Sequence, residues 1–424
     1  MYICHKCIDD PELNSWIKDI GNKKQCTFCK RKLKCIPINI LYDRIEEVYK
    51  DLYTLCDTYP YFSDEFDNPL RKQEGDSPVT IISDILSCDI EIAEFIVDKL
   101  WEREKYSVYK NGEMPYFDKG EKYIQVDCYP YYLHEIWLAF QNRIRFKKRF
   151  FDEEAKELLH NLLFDIEPFS QSLKEQSPLF YLSPNSDEVK IYRARLADSW
   201  EKVKTILNDP ANQLGPPPLH IAKSGRMNPQ GIPVFYGALN QETCIAEVRP
   251  PIGSFVVIGE FEYTCMLKIL DLTIFSNFPK YDSVFSNDFK ENMEKWRFLH
   301  DFQLMIAKPV VPKDEPIEYV ATQAVAEYLK EFYDIDGIIY NSSQIHDNKN
   351  SHEESQKNIV IFNETIFSDS TLKSTLSMVN SNLHPCLKLK NESVAIYKIE
   401  SVQYFYTNIS PYNDPFNEND SEVF

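Results

Sequence analysis

At 424 residues the chain exceeds the usual span of one domain, and its 43% hydrophobic and 14% aromatic content is enough to build more than one core. Its 66 acidic residues outnumber 47 basic ones for a net charge of -19, which opposes unspecific binding to phosphate backbones and makes nucleic acid a poor partner. No apolar run reaches the roughly 18 residues that a membrane span needs, and the opening MYICHKCIDD lacks the charged start and apolar core of a signal peptide, so a cytoplasmic protein with no membrane partner is expected.

The first element predicted is a zinc-ribbon-like module over residues 1–39. Cys4, Cys7, Cys26 and Cys29 form two Cys-x-x-Cys pairs at the separation of a four-thiolate zinc site. Zinc, as a structural cofactor, would replace the core that so short a segment cannot bury. Cys35 and His5 lie close by as alternative ligands. Cys56, Cys88, Cys128, Cys244, Cys265 and Cys386 are scattered and read as small core residues, with thiols expected to stay reduced or to bind metal.

Residues 40–188 carry a mostly helical pattern. Leu41, Ile45, Val48, Leu52 and Leu55 recur at spacings of three and four, as do Ile92, Phe95, Ile96 and Leu100. A further helix is predicted through YYLHEIWLAFQNRIRF; the cations Arg143, Arg145, Lys147, Lys148 and Arg149 at its end read as a solvated terminus that complements the helix dipole. The polar, turn-rich LSPNSDEVK marks the main boundary, so that a mixed domain covers 189–409. There, strand-like VFY, SFVVIGEFEY, CMLKILDL, DGIIY and NIVIF alternate with helical stretches such as YVATQAVAEYLKEFY, and AIYKIESVQYFY supplies a final strand. Residues 410–424 are polar and acidic and read as a flexible tail. The predicted fold class is therefore α+β and multidomain: zinc ribbon, helical domain, then a mixed α/β domain.

No G-x-G-x-x-G opens a helix after a strand, and neither G-x-x-x-x-G-K-[ST] nor H-E-x-x-H occurs, which excludes a Rossmann dehydrogenase, a P-loop NTPase and a zincin. The densest chemical signal is GRMNPQGIPVFYGALNQETCIAEVRP, Gly225 to Pro250, with an arginine loop (Arg226), a strand-like VFY (Tyr236) and a helix-like segment bearing Glu247. Together with IYRAR (Ile191 to Arg195), LGPPP, YVATQAVAEY and DGIIYNSS (Asp336 to Ser343), in that order, it resembles the RES domain over roughly residues 191–362. The part before it is similar to the HEPN-like domain that accompanies some members.

The resemblance implies a fold like that of ADP-ribosyltransferase toxins, with an NAD cleft between small sheets, and an activity that degrades NAD. Residue by residue, it assigns the family arginine to Arg226, the tyrosine to Tyr236, the glutamate to Glu247 and the serine to Ser342, with Ser343 its neighbour; Arg193 is the second arginine expected in the cleft. These types suit the reaction. Breaking the nicotinamide–ribose bond builds positive charge on the sugar, which a carboxylate stabilises. Arginine forks pair with pyrophosphate oxygens, a tyrosine ring stacks on nicotinamide or ribose, and a serine hydroxyl holds substrate or orients the carboxylate. Glu242 and Arg249 flank Glu247 without matching a family position, and Pro216 to Pro218 stiffen the approach to the loop.

The expected function is thus an NAD glycohydrolase or NAD phosphorylase, the latter with inorganic phosphate as acceptor, acting as the toxin of a toxin-antitoxin or anti-phage defence system. Restraint is expected from an antitoxin or regulatory partner, from the N-terminal domains or from homo-oligomer assembly. The alternatives are an ADP-ribosyltransferase and a non-catalytic nucleotide-binding regulator. A HEPN ribonuclease ranks last, because Arg149 lies eleven positions before His160, too far for the nuclease motif. His220, just before the arginine loop, reads as structural.

Overall fold

The computed structural model describes residues 1–57, 59–61, 70–126, 128–163, 166–167, 177–184, 189–218, 221–276, 283–311, 313–344, 356–362, 386–390 and 392–403. The expected tail and His220 lie outside these residues. The chain forms two compact units, Met1–Leu133 with Phe278–Phe298, and His134–Asn277 with Leu299–Phe424. No helix among the described residues is long and apolar enough to cross a membrane.

In the first unit, strands β1 (Tyr2–Cys4), β2 (Asn22–Gln25) and β3 (Lys32–Pro37) form an antiparallel sheet in the order β1-β3-β2. The helix Pro11–Ile20 starts cleanly because Pro11 suits the first helical position and the Asp10 carboxylate accepts from Leu13 N at 2.8 Å. Leu13 and Ile17 on its inner face join Ile3 and Ile36 of the sheet, Leu41 and Ile45 of the helix Ile38–Leu52, and Ile92, Ile96 and Leu100 of the helix Ile90–Asn111 in one core. The predicted spacing therefore does mark the buried faces. It overshoots at Leu55, where the backbone is already extended: β4 (Tyr53–Leu55) pairs with β7 (Tyr123–Gln125), and β5 (Tyr59–Tyr61) with β6 (Leu70–Lys72). A strand whose partner lies far along the chain leaves no periodic mark of its own.

The second unit is a mixed α/β assembly around a nine-stranded sheet. Its strands are β8 (Leu179–Leu182), β9 (Ile191–Ala197), β10 (Phe235–Ala238), β11 (Phe255–Tyr263), β12 (Leu267–Asp271), β13 (Gly337–Asn341), β14 (Lys357–Ile361), β15 (Leu387–Leu389) and β16 (Ala395–Lys398). They run in the order β15-β11-β9-β10-β14-β13-β12-β8, with β16 also on β11. The sheet already begins with β8, ahead of the boundary expected at 188/189, because β8 pairs antiparallel with β12. The helix Tyr131–Phe146, from His134 onward, and the helix Glu153–Leu163, expected with the residues before them, also fall in this unit. In the basic run, Arg143 pairs with Asp152 at 2.8 Å and Arg145 with Glu318 at 3.1 Å, so two of its cations are held in ion pairs.

Cys265 and Cys386 correct the expectation of separate core thiols, since they form a disulfide. Pairing of β11 with β15 sets Tyr263 opposite Leu387, and Thr264 N donates to the Cys386 carbonyl at 2.8 Å. This brings the two Cα atoms to 5.1 Å, within disulfide reach. Cys244 remains a buried free thiol, as expected.

The pairing along the sheet is uneven. β9 matches β11 continuously from Ile191↔Phe261 to Ala197↔Phe255, and β10 matches β14 from Phe235↔Ile361 to Ala238↔Asn358. Between β9 and β10, however, the register holds only Ala238↔Tyr192. At that junction Gly237 is required by space: a Cβ there would lie 2.8 Å from the Tyr192 carbonyl oxygen and 2.9 Å from Phe235 Cε1. Gly237→Ala is expected to lower stability by about 1–3 kcal/mol, because backbone must move to admit the methyl group; a urea midpoint equal to that of the wild type would refute the close approach.

Candidate functional site

The loop after Ala222 is folded by one buried asparagine. Asn228, 3% exposed, donates through Nδ2 to the carbonyls of Lys223, Pro229 and Ile232, the last at 2.7 Å, and its Oδ1 accepts from the Tyr236 hydroxyl at 2.9 Å. The same hydroxyl accepts from Met227 N at 2.9 Å. The helix Glu315–Tyr333 fastens the loop from outside: Gln323 Nε2 donates to the carbonyls of Gly225 and Asn228, and Thr322 Oγ1 to that of Arg226. Gly225 has no room for a side chain, since a Cβ would lie 2.6 Å from both Tyr236 Oη and Asn228 Oδ1.

Arg226 projects from this loop under firm constraint. Its Nη1 donates to the carbonyls of Ile306 and of Lys308, the latter at 2.7 Å, and its guanidinium carbon lies 5.3 Å from the centre of the Tyr319 ring. Ile306 is in the last turn of the helix Phe289–Ala307, where unpaired carbonyls favour a cation. The remaining guanidinium nitrogens make no hydrogen bond among the described residues.

Glu247 ends the helix Gln241–Glu247, whose N-terminus is capped by Asn240 accepting from Thr243 N at 2.7 Å. Its carboxylate is exposed, yet one oxygen is doubly held. Ser342 Oγ donates to Oε1 at 2.6 Å and Asn358 Nδ2 donates to the same oxygen at 2.7 Å. Asn358 stands opposite Ala238 on β10 and Tyr340 on β13. Tyr236, two residues from Ala238, therefore shares that face of the sheet with Asn358 and Tyr340. Burial pushes the Tyr340 phenol up, and neighbouring Tyr236 and Glu247 push it further while Arg226 opposes them. One buried phenol thus feels all three residues.

Arg193, on β9, sits where β9 and β10 part. It is only 7% exposed, its guanidinium carbon is 4.8 Å from the centre of the Phe235 ring, and its Nη1 is buried with no hydrogen-bond partner among the described residues. Burial first, then the Arg195 charge, pulls its pKa down to about 9. It lines a cleft of about 760 Å³ with Arg195, Lys202, Lys223, Asn228 and Tyr236. No carboxylate lines this cleft among the described residues, in a chain of net charge -19. Pro217 and Pro218 form part of its wall.

The structure therefore brings the sequence-derived candidates together in two linked groups. Arg193 and Tyr236 line the cleft, Tyr236 is bonded into the loop that carries Arg226, and Glu247 with Ser342 forms a hydrogen-bonded pair on the Tyr236 face. Ser343 instead accepts from Gln344 Nε2 at 3.3 Å. The Tyr236 hydroxyl is engaged within the protein, since its hydrogen and one lone pair serve the loop. Asn228, Tyr319, Gln323, Tyr340 and Asn358 escaped the sequence reading. Tyr319 and Gln323 lie inside YVATQAVAEYLKEFY, but only the packing of its helix on the loop gives them a role.

The cysteine quartet belongs to the first unit. Cys4, Cys7, Cys26 and Cys29 place their sulfurs within 4.8 Å of one another, with separations of 3.6 Å for Cys4–Cys7 and Cys4–Cys29 and 3.7 Å for Cys7–Cys26. Four sulfurs at about 2.3 Å from one tetrahedral zinc lie about 3.8 Å apart, so the quartet could hold that ion. Cys35 points its thiol at the carbonyls of Lys24 and Leu33, and His5 Nδ1 faces the Lys34 carbonyl. Neither belongs to the quartet.

Residues 190–379 match the family model of the RES domain, a family associated with NAD-related toxin activity. The match includes Arg193, Arg226, Tyr236, Glu247, Ser342 and Asn358, and it covers less than half of the chain. No curated protein and no solved structure matches the chain. Removing the Tyr236 hydroxyl should loosen the arginine loop, since Met227 N and Asn228 Oδ1 would both lose a partner. Tyr236→Phe is expected to cost about 1–3 kcal/mol of stability in urea unfolding and to speed proteolysis within 223–233; unchanged stability and cleavage would contradict this account.

Proposed function

We propose that this chain cleaves the bond between nicotinamide and ribose in NAD. The observation that carries the reading is the exposed Glu247 carboxylate, held through one oxygen by Ser342 and Asn358 on the face that bears Tyr236, within a RES match that also contains Arg193 and Arg226, neither of which has a carboxylate partner among the described residues. Such a clamp presents the second oxygen in a fixed direction, which suits a charge that appears only in the transition state.

In this reading Arg193 and the unbonded nitrogens of Arg226 take the pyrophosphate, and the Tyr236 ring packs against the nicotinamide ribose. The bond from ribose C1′ to the pyridinium nitrogen breaks with its electron pair going to the ring, which leaves as neutral nicotinamide. Positive charge spreads over C1′ and the ring oxygen of the sugar, where Glu247 stabilises it. A water oxygen then bonds to C1′ and releases a proton to solvent, or an anionic oxygen of inorganic phosphate bonds to C1′ directly. Hydrolysis and phosphorolysis share every step but the last. An enzyme of this kind would exhaust the NAD of the cell that makes it, which fits a toxin restrained by an antitoxin-type partner. The cysteine quartet, in this proposal, holds a structural zinc, since four thiolates leave no open position for substrate.

Two experiments test these readings. Purified protein incubated with NAD, with and without phosphate, should release nicotinamide, and Glu247→Gln should reduce kcat by about 100-fold or more; equal rates for the two proteins would exclude the assigned role, and phosphate dependence would name the acceptor. Elemental analysis should find one zinc per chain, lost in Cys26→Ser together with protection of residues 1–37 from proteolysis, whereas a metal-free and equally protected wild type would rule the zinc out.

A further inference from the structure

Asn358 is the least expected partner of the site. It sits on β14, a strand paired on both sides, with Ala238 opposite on one side and Tyr340 on the other. It is 4% exposed, a depth at which polar side chains normally satisfy all their hydrogen-bonding atoms. The Glu247 oxygen, as part of a carboxylate, only accepts, so the end of the Asn358 amide that faces it at 2.7 Å must be the Nδ2 donor. That choice turns Oδ1 the other way, and there it is buried with no hydrogen-bond partner among the described residues. The side chain thus leaves its own acceptor unsatisfied in order to donate to Glu247.

Ser342, the other donor to the same oxygen, is placed differently. It follows the end of β13, where its Oγ also accepts from Gln344 N at 3.2 Å. Of the two groups that hold the carboxylate, the asparagine is the one whose backbone is locked on both sides by strands. We propose that Asn358 is a positioning residue for Glu247: it fixes Oε1, so that Oε2 is the oxygen turned toward the reacting sugar. It touches no substrate and acts only through the carboxylate. The inference rests on the NAD-cleaving reading for its kinetic consequence, but its structural content stands independently of it.

The test uses the full-length, zinc-replete chain and two substitutions. Asn358→Ala removes the donor, and kcat for nicotinamide release is expected to fall by about 100-fold, as for a catalytic group displaced by about an ångström, while KM stays near that of the wild type. Asn358→Asp keeps the shape but sets one carboxyl group against another, which makes the pair retain a proton to higher pH. The acid limb of its kcat profile should therefore move upward by about a unit or more, with partial recovery of rate above it. A rise in KM alone, or an acid limb where the wild type has it, would overturn the proposal. Crystal structures of the wild type and Asn358→Ala give a readout that needs no activity: one Glu247 rotamer in the former and several in the latter are expected. If the wild type releases no nicotinamide, the NAD reading fails while this comparison still decides the role of Asn358, and an equally ordered Glu247 in both proteins would dismiss it.

Discussion

The pairing between β9 and β10 stops after one residue pair, Ala238 opposite Tyr192, and the arrangement of the candidate site follows from that interruption. On either side of it the strands are fully engaged, β9 with β11 and β10 with β14. Two stiff halves that meet at one point must part beyond it, because a right-handed twist accumulates in each. Arg193 lies at the parting. Its guanidinium is buried against the Phe235 ring with no carboxylate partner among the described residues, and burial lowers its pKa. A cation held in this state gains most from an anion that enters with its own charge, which is the physical basis of the proposed pyrophosphate contact.

The arginine loop and the carboxylate are held by opposite means. The loop carrying Arg226 has no regular structure to rest on, so its backbone groups are bonded to side chains: Asn228 from within, Tyr236 from the sheet, Gln323 and Thr322 from a helix. Each is a neutral polar contact worth about 1 kcal/mol net, but each also prevents a buried group from being left without a partner, which costs more. Glu247 stands at a helix end and in solvent, and takes its direction from Ser342 and from an asparagine at the centre of the sheet. Two buried polar atoms without described partners, Arg193 Nη1 and Asn358 Oδ1, belong to residues that line or hold this site. Tyr49 Oη in the first unit and Trp137 Nε1 are further such atoms, so it is the position of Arg193 and Asn358 beside the cleft and the carboxylate that gives theirs meaning.

Much of this was legible in the chain. The four-cysteine spacing carries its own geometry, because two Cys-x-x-Cys knuckles can face one ion whatever encloses them, and their sulfurs do converge. The segment from Gly225 to Pro250 holds loop, strand and helix in immediate succession, so Tyr236 bonds back to the loop that carries Arg226 and the next helix ends on Glu247 through local structure. Helical spacing gave the buried faces around Leu41, Ile45 and Ile96, since it reflects the one face that such a helix can bury. What could not be read were partners set by distant pairing. The strand β8 finds its place through β12, Cys265 meets Cys386 because β15 returns to β11, and Asn358 meets Glu247 because β14 inserts between β10 and β13. Periodicity and motif spacing describe a residue's own neighbourhood along the chain. The register between strands separated by a hundred residues is chosen by the packing of the whole sheet, and with it the partners that aim the carboxylate.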